Sequence, residues 1–243
     1  MTDPISPELL AYWNEYGFYA ACALAGVGVL ILVGHLLKLV TTTDNKARYD
    51  YINMHEINFL WYGVLSLLIG LSLYANTLAP RQSWLWFFVI LFITGMVAMI
   101  VGVIIQNILK FYYPFFIEKR LRKLRYTARI SPDNRKMKLL SEEEEDVYLD
   151  EGMQAEENAF SVDYDVWIDE ISGFTKIEKY NGRLHALQCD ECNYQTLKVD
   201  HEEVIQSATD TEDGELMKYY ACGYCGHKQR KSFTIAKLKM EEA

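Results

Sequence analysis

This sequence predicts a bundle of three membrane-crossing α-helices followed by a small, mainly β domain organised around four cysteines. Three observations carry that fold class. Long apolar runs recur three times within the first 109 residues. From Ser161 onward the hydrophobic period shortens from a helical one to strict alternation. Two Cys-x-x-Cys pairs, Cys189–Cys192 and Cys222–Cys225, then bracket a polar segment able to form a hairpin. The 243-residue chain carries a formal charge of −9, but basic and acidic residues lie in separate blocks. An acidic chain offers little to neutralise phosphates, so nucleic acid is not an expected partner.

Residues 1–16 are expected to be an external or interfacial N-terminus. Ser6-Pro7-Glu8 reads as a helix start, a capping serine followed by proline in the first turn. The stretch to Tyr16 would be a short interfacial helix or the direct lead-in to the first span. Asp3, Glu8 and Glu15 stand where a secretory signal would carry basic residues, so the first apolar segment is expected to remain as an anchor.

Residues 17–109 form the predicted membrane domain, with spans at 17–40, 57–78 and 84–109. About 20 residues at 1.5 Å rise cross a ~30 Å hydrocarbon core, and each run is long enough. Lys38 stands at the inner end of the first span, Lys46 and Arg48 lie between the first two, Arg81 between the second and third, and six cations from Lys110 to Arg125 after the third. This asymmetry predicts the N-terminus outside and the C-terminal part in the cytoplasm. Ala21/Ala25 and Cys22/Gly26 give the first helix close-packing surfaces, with Gly95 and Gly102 doing the same on the third. These surfaces would serve the three helices themselves or, preferably, another membrane protein. Cys22 itself reads as a small packing residue.

The ionisable groups near the membrane are His35, His55 and Glu56. Such groups are candidates for a polar site, with His55 and Glu56 forming a proton route. The plain alternative is that they reach headgroups or water at the inner boundary.

Residues 110–139 form a basic juxtamembrane segment in which Pro114 is expected to kink the third helix. Its 118–129 portion would lie along the anionic leaflet or act simply as a stop-transfer flank. Residues 140–160 are predicted to be a solvated acidic helix, starting at Ser141 with Glu144 at capping-box spacing and docking on the basic stretch. Residues 161–243 are expected to be β-rich. The alternation from Val162 to Asp169 marks a strand. Asn181-Gly182 predicts a hairpin between Phe174–Tyr180 and Arg183–Gln188, and the turn Thr211–Gly214 a second one; residues 231–238 would form a last strand.

In a reducing cytoplasm the cysteine pairs point to a metal rather than to disulfides. Cys189, Cys192, Cys222 and Cys225 would hold structural Zn²⁺, all four positions being filled by protein; a single Fe is the alternative. His185, His201 and His227 would then lie outside the ligand set. Without a Gly-rich phosphate loop, nucleophile elbow or His-Glu-x-x-His, the sequence offers no catalytic residues, no small-molecule substrate and more reason to expect a non-enzyme than an enzyme.

Two resemblances attach to these residues. Leu140-Ser-Glu-Glu-Glu-Glu, Gln154-Ala-Glu-Glu157, Ser161-Val-Asp-Tyr-Asp-Val-Trp167 and the cysteine pairs together resemble the cytoplasmic tail, an acidic helix plus zinc ribbon, of bacterial TPM-domain membrane proteins. The chain lacks the TPM domain, so the resemblance implies a zinc-ribbon-like module on a multi-pass protein of the bacterial inner membrane, not that domain's activity. Separately, the 29 residues between Cys192 and Cys222, with Tyr194 and Cys225-Gly226, look similar to rubredoxin, with Asn193 where rubredoxin has glycine. That resemblance implies mononuclear iron and electron transfer. The expected role is an accessory or scaffold subunit, presenting a four-cysteine domain to protein partners beside the lipid bilayer. A rubredoxin-like carrier and a transport or secretion component with a His55/Glu56 proton route are the alternatives.

Overall fold

The computed structural model describes residues 4–78 and 83–237, so Asp3, Arg81 and Leu238 lie outside the described residues. The chain divides into two compact units, Met1–Thr127 and Ala128–Ala243.

The first unit contains α1 (Pro7–Thr41), α2 (Asn45–Leu78), α3 (Trp84–Asn107) and α4 (Tyr113–Arg125). Three stretches, Pro7–Thr41, Asn45–Leu78 and Trp84–Arg125, are long and apolar enough to cross a membrane. Among the described residues no separate interfacial helix precedes α1. It starts at Pro7 and runs on unbroken, with Ser6 Oγ accepting from the Leu9 N–H at 3.3 Å.

Glycines set the α1–α2 approach. A Cβ on Gly28 would lie 2.8 Å from Leu67 Cγ and 2.9 Å from the Gly63 carbonyl oxygen, so only hydrogen fits there. Gly17, Ala21 and Gly28 face the interface, whereas Cys22 is exposed and Gly26 and Gly95 have open space around them. The expected Cys22/Gly26 packing pair is therefore not closed by α2: Cys22 borders an open groove between α1 and α2. The Ala21 stripe, not the adjacent one, is the surface that α2 fills. Gly102 does pack as expected, 3.6 Å from Leu68 Cδ1 at the Cβ position.

Pro114 does not end the third helix. Residues Ile108–Tyr112 form a π-turn in which the Tyr113 N–H reaches back to Ile108 O, and α4 follows directly. One wider turn accommodates the proline, which has no N–H to give. α4 then packs along the first turns of α2, with Ile117 and Leu121 buried against Ile52.

The second unit holds two three-stranded antiparallel sheets. In the first, β2 (Val162–Ile168) pairs with β1 (Lys138–Leu139) and β3 (Thr175–Asn181). In the second, β5 (Gly214–Cys222) lies between β4 (Leu197–Gln206) and β6 (Lys228–Ile235). The alternation from Val162 is realised as β2, and the Thr211–Gly214 turn joins β4 to β5.

Asn181-Gly182 is not a hairpin turn. β3 pairs backwards with β2, Val162 opposite Asn181, and residues 183–188 contribute only an isolated bridge, Leu187 to Leu197. Gly182 instead lies so close to the Phe160–Ser161 backbone that a Cβ would overlap it, and its N–H donates to Ser161 O at 2.9 Å.

The acidic stretch is broken rather than continuous. α5 (Glu142–Glu145) carries the expected Ser141/Glu144 capping box, and α6 (Glu151–Asn158) starts afresh with Asp150 Oδ1 accepting from Met153 N–H at 2.7 Å. Nor is it wholly solvated: Glu145 is 3% exposed and Glu156 0%. A run of acids cannot turn every side chain outward once its helices pack on a sheet.

Candidate metal centre

Two short loops of one backbone design carry the four cysteines. In the first, Cys189 N–H donates to Tyr194 O at 2.9 Å and Asn193 N–H to Cys189 O at 2.9 Å. In the second, Cys222 N–H donates to His227 O at 2.8 Å and Gly226 N–H to Cys222 O at 3.2 Å. The residue after each second cysteine adopts a left-handed backbone, φ 63° at Asn193 and 74° at Gly226. Asparagine tolerates that region better than most side chains, so Asn193 performs the turn for which glycine is usual.

The loops bring all four Sγ atoms within 4.8 Å of one another. Cys189 and Cys225 Sγ lie 3.7 Å apart, as do Cys192 and Cys222. A tetrahedron with metal–sulfur bonds of about 2.3 Å has edges of about 3.8 Å, so the set fits one ion held by four thiolates. Disulfide bonding is ruled out by these separations, since a bonded pair lies at about 2.05 Å. The sulfurs are graded in access: Cys189 and Cys222 are buried, Cys192 is intermediate and Cys225 is exposed.

The surroundings favour negative sulfur at one position. Burial would raise the Cys222 thiol, but hydrogen bonds from Thr196 and from the backbone N–H groups of Cys225 and Tyr224 outweigh it and hold the thiol at about 6. Thr196 Oγ1 lies 3.0 Å from Cys222 Sγ. Burial pushes Cys192 the other way, to about 12. A cation among the sulfurs would draw the remaining protons off.

No histidine joins the set among the described residues. His185 is exposed, His201 stacks on Tyr219 with ring centroids 4.2 Å apart, and His227 faces Glu191 at 4.0 Å.

The first cysteine loop is bolted to α6 and the first sheet. Glu156 Oε1 accepts from Gln195 N–H at 2.6 Å and from Lys179 Nζ at 3.0 Å, while Oε2 takes Tyr164 OH. Ser161 Oγ donates to Gln195 O at 2.5 Å, and Tyr194 OH to Asp150 Oδ1 at 3.1 Å. Glu156, Ser161 and Tyr164 belong to the motifs singled out in the sequence, and their contacts give those motifs a physical role. Sequence reasoning missed Thr196, Lys179 and Gln195, because no local pattern marks a residue whose partner is 23 to 39 positions away.

The membrane-proximal groups are arranged differently from expectation. His55 is exposed and does not face Glu56. His35 does: its Nε2 lies 3.8 Å from Glu56 Oε2, and its Nδ1 lies 3.0 Å from Tyr51 OH. Glu56, 1% exposed, also takes Tyr113 OH at 2.6 Å on Oε1 and Arg120 on Oε2. Neighbours on a helix point about 100° apart, which separates His55 from Glu56. Tyr113 and Arg120 were not anticipated, although their seven-residue spacing places them on one helix face.

A groove of about 520 Å³ between α2 and α3 is lined by apolar side chains with Ser72 and Gln106, and so offers no acid–base pair. Comparison of the chain with protein-family models, with curated proteins and with solved structures returned no match.

Proposed function

We propose that this is a non-catalytic accessory or scaffold subunit of a membrane complex, anchored by three helices and presenting a structural zinc domain to protein partners. Three helices able to span a membrane and a four-cysteine cluster able to bind a metal are the established parts. The observation that carries the reading is the closed sulfur set. Four protein thiolates at tetrahedral separations leave no position for a reacting water, so a zinc ion there would hold the fold rather than perform chemistry. The resemblance to the tail of TPM-domain proteins supports the same picture and gives the proposed setting, a bacterial inner membrane with the N-terminus outside and the metal domain in the cytoplasm. The cations Lys38 near the end of α1 and Lys46 and Arg48 at the start of α2 support that orientation.

Elemental analysis and a visible spectrum test the metal. One zinc per chain and no colour are expected; a coloured, reducible iron centre would replace this reading with the rubredoxin-like carrier. For the scaffold role, native purification of the full chain should retain partner proteins that are lost on deleting residues 128–243. Retention of every partner by the helical unit alone would refute it. The proton-route alternative now centres on His35 and Glu56, the pair the fold brings together.

A further inference from the structure

α4 has two chemically distinct faces, and only one of them is used within its unit. Tyr113, Ile117, Arg120, Leu121 and Leu124 recur at helical spacing and face inward, where Ile117 and Leu121 pack on Ile52 and Tyr113 and Arg120 reach Glu56. On the opposite side Tyr112, Phe115, Phe116, Lys119, Arg122 and Lys123 recur at the same spacing, and all six are exposed. Tyr112, Phe115 and Phe116 are 70%, 72% and 66% exposed, too much aromatic surface to leave in water without a reason. Lys119 and Lys123 make no ion pair among the described residues, and Arg122 meets only Glu118 at 3.5 Å with both side chains about seven-tenths exposed. A pair that open holds neither partner firmly.

The order along the axis matters as much as the composition. The stretch Trp84–Arg125 has 42 residues, about 63 Å of helix, roughly twice a hydrocarbon core. Its outer surface runs from the exposed aliphatic residues Ile104 and Ile108, through the aromatic rings, to the three cations. Acyl chains, the interfacial belt and headgroups present that same sequence of environments.

We propose that this outer face of the π-turn and α4 is an anionic-phospholipid site, with the rings of Tyr112, Phe115 and Phe116 at the acyl boundary and Lys119, Arg122 and Lys123 holding the headgroup phosphate. The proposal goes beyond the scaffold reading and does not depend on the metal. An acidic protein would suit the cations but not the rings placed on their membrane side.

Delipidated full-length protein in detergent, titrated with phosphatidylglycerol or phosphatidylcholine and read by native mass spectrometry, tests it. A cation near an anionic surface contributes about fivefold, so phosphatidylglycerol should bind at least about tenfold tighter. K119Q/R122Q/K123Q should bring the two lipids within about threefold of each other. The wild-type protein in about 0.5 M salt should lose the selectivity in the same way, with no substitution involved. Equal binding of the two lipids, or selectivity that survives both the triple substitution and high salt, overturns the proposal. Displacement of the lipid by free glycerol phosphate overturns it as well, as does an acidic protein held through these residues in the absence of lipid selectivity.

Discussion

At the scale of single residues, the metal centre and the buried carboxylates behave in opposite ways. Thr196 supplies a hydroxyl 3.0 Å from Cys222 Sγ, and donors in that position orient a ligand and stabilise its charge. Thr196→Val, which keeps the shape and removes the donor, should weaken metal binding about tenfold in a chelator competition assay. Glu145 is 3% exposed, and its carboxyl takes one backbone N–H, from Val166 at 3.3 Å. Burial raises its pKa to about 7, with Glu142, Glu157 and Asp165 adding repulsion against that single hydrogen bond. The folded protein thus holds this proton more tightly than the unfolded chain. Its stabilising effect is full below about pH 4.5 and fades as pH rises through 7. Glu145→Gln should therefore gain stability relative to wild type between pH 5 and 8, by about 1–2 kcal/mol in denaturant titrations. A constant difference across that range would show that the carboxyl stays ionised in the fold.

At the scale of elements, a single carboxylate links three helices. Glu56 on α2 takes Tyr113 and Arg120 from α4 and faces His35 from α1. Glu56→Ala would leave Tyr113 OH without its partner and remove the carboxylate that faces His35, while Arg120, already 43% exposed, can turn to solvent. The expected result is a loss of about 2–3 kcal/mol, seen as faster hydrogen exchange across residues 113–125 with the α1–α2 interface unchanged. Unchanged exchange would mean that Ile117 and Leu121 hold α4 by themselves. The π-turn before Pro114 belongs to the same arrangement: it aims Tyr113 while letting the helix pass the proline. The sequence marks Pro114 as a disturbance, but whether such a disturbance becomes a kink, a stop or a wide turn is settled by what the following helix packs against.

At the scale of the whole chain, the two compact units divide the labour. The helical unit is held by apolar surface and close glycine contacts, which are indifferent to metal. In the second unit the β4–β6 sheet depends on the four thiolates, because β4 is almost wholly exposed and the small core around Cys189, Leu197, Tyr220 and Cys222 is itself half ligand. Chelation should open residues 184–237 to protease and slacken α6, which Glu156 ties to the first cysteine loop, while residues 7–41 and 45–78 keep their helical signal. Loss of helix in the first unit on chelation would contradict this separation.

Some of this architecture is legible in the residues alone, because it depends on neighbours and periods. Twenty-odd apolar residues suffice to specify a span, alternation specifies β2, and Cys-x-x-Cys spacing brings two sulfurs to one side of an ion. The rest depends on which distant segment arrives. Asn181-Gly182 would close a hairpin if residues 183–188 came back as a strand, yet β3 pairs with β2 and Leu187 bridges to Leu197 instead. The small residues around Cys22 offer two stripes, and α2 occupies the one through Ala21. His55 stands next to Glu56 in sequence, but the helix turns them apart and brings His35 across from another segment. Sequence by itself determined which stretches are apolar, which alternate and which cysteines stand at ligand spacing. Only the tertiary structure chose their partners, because a buried Glu56 or Glu156 accepts whichever donors the packing delivers, and no local pattern records them.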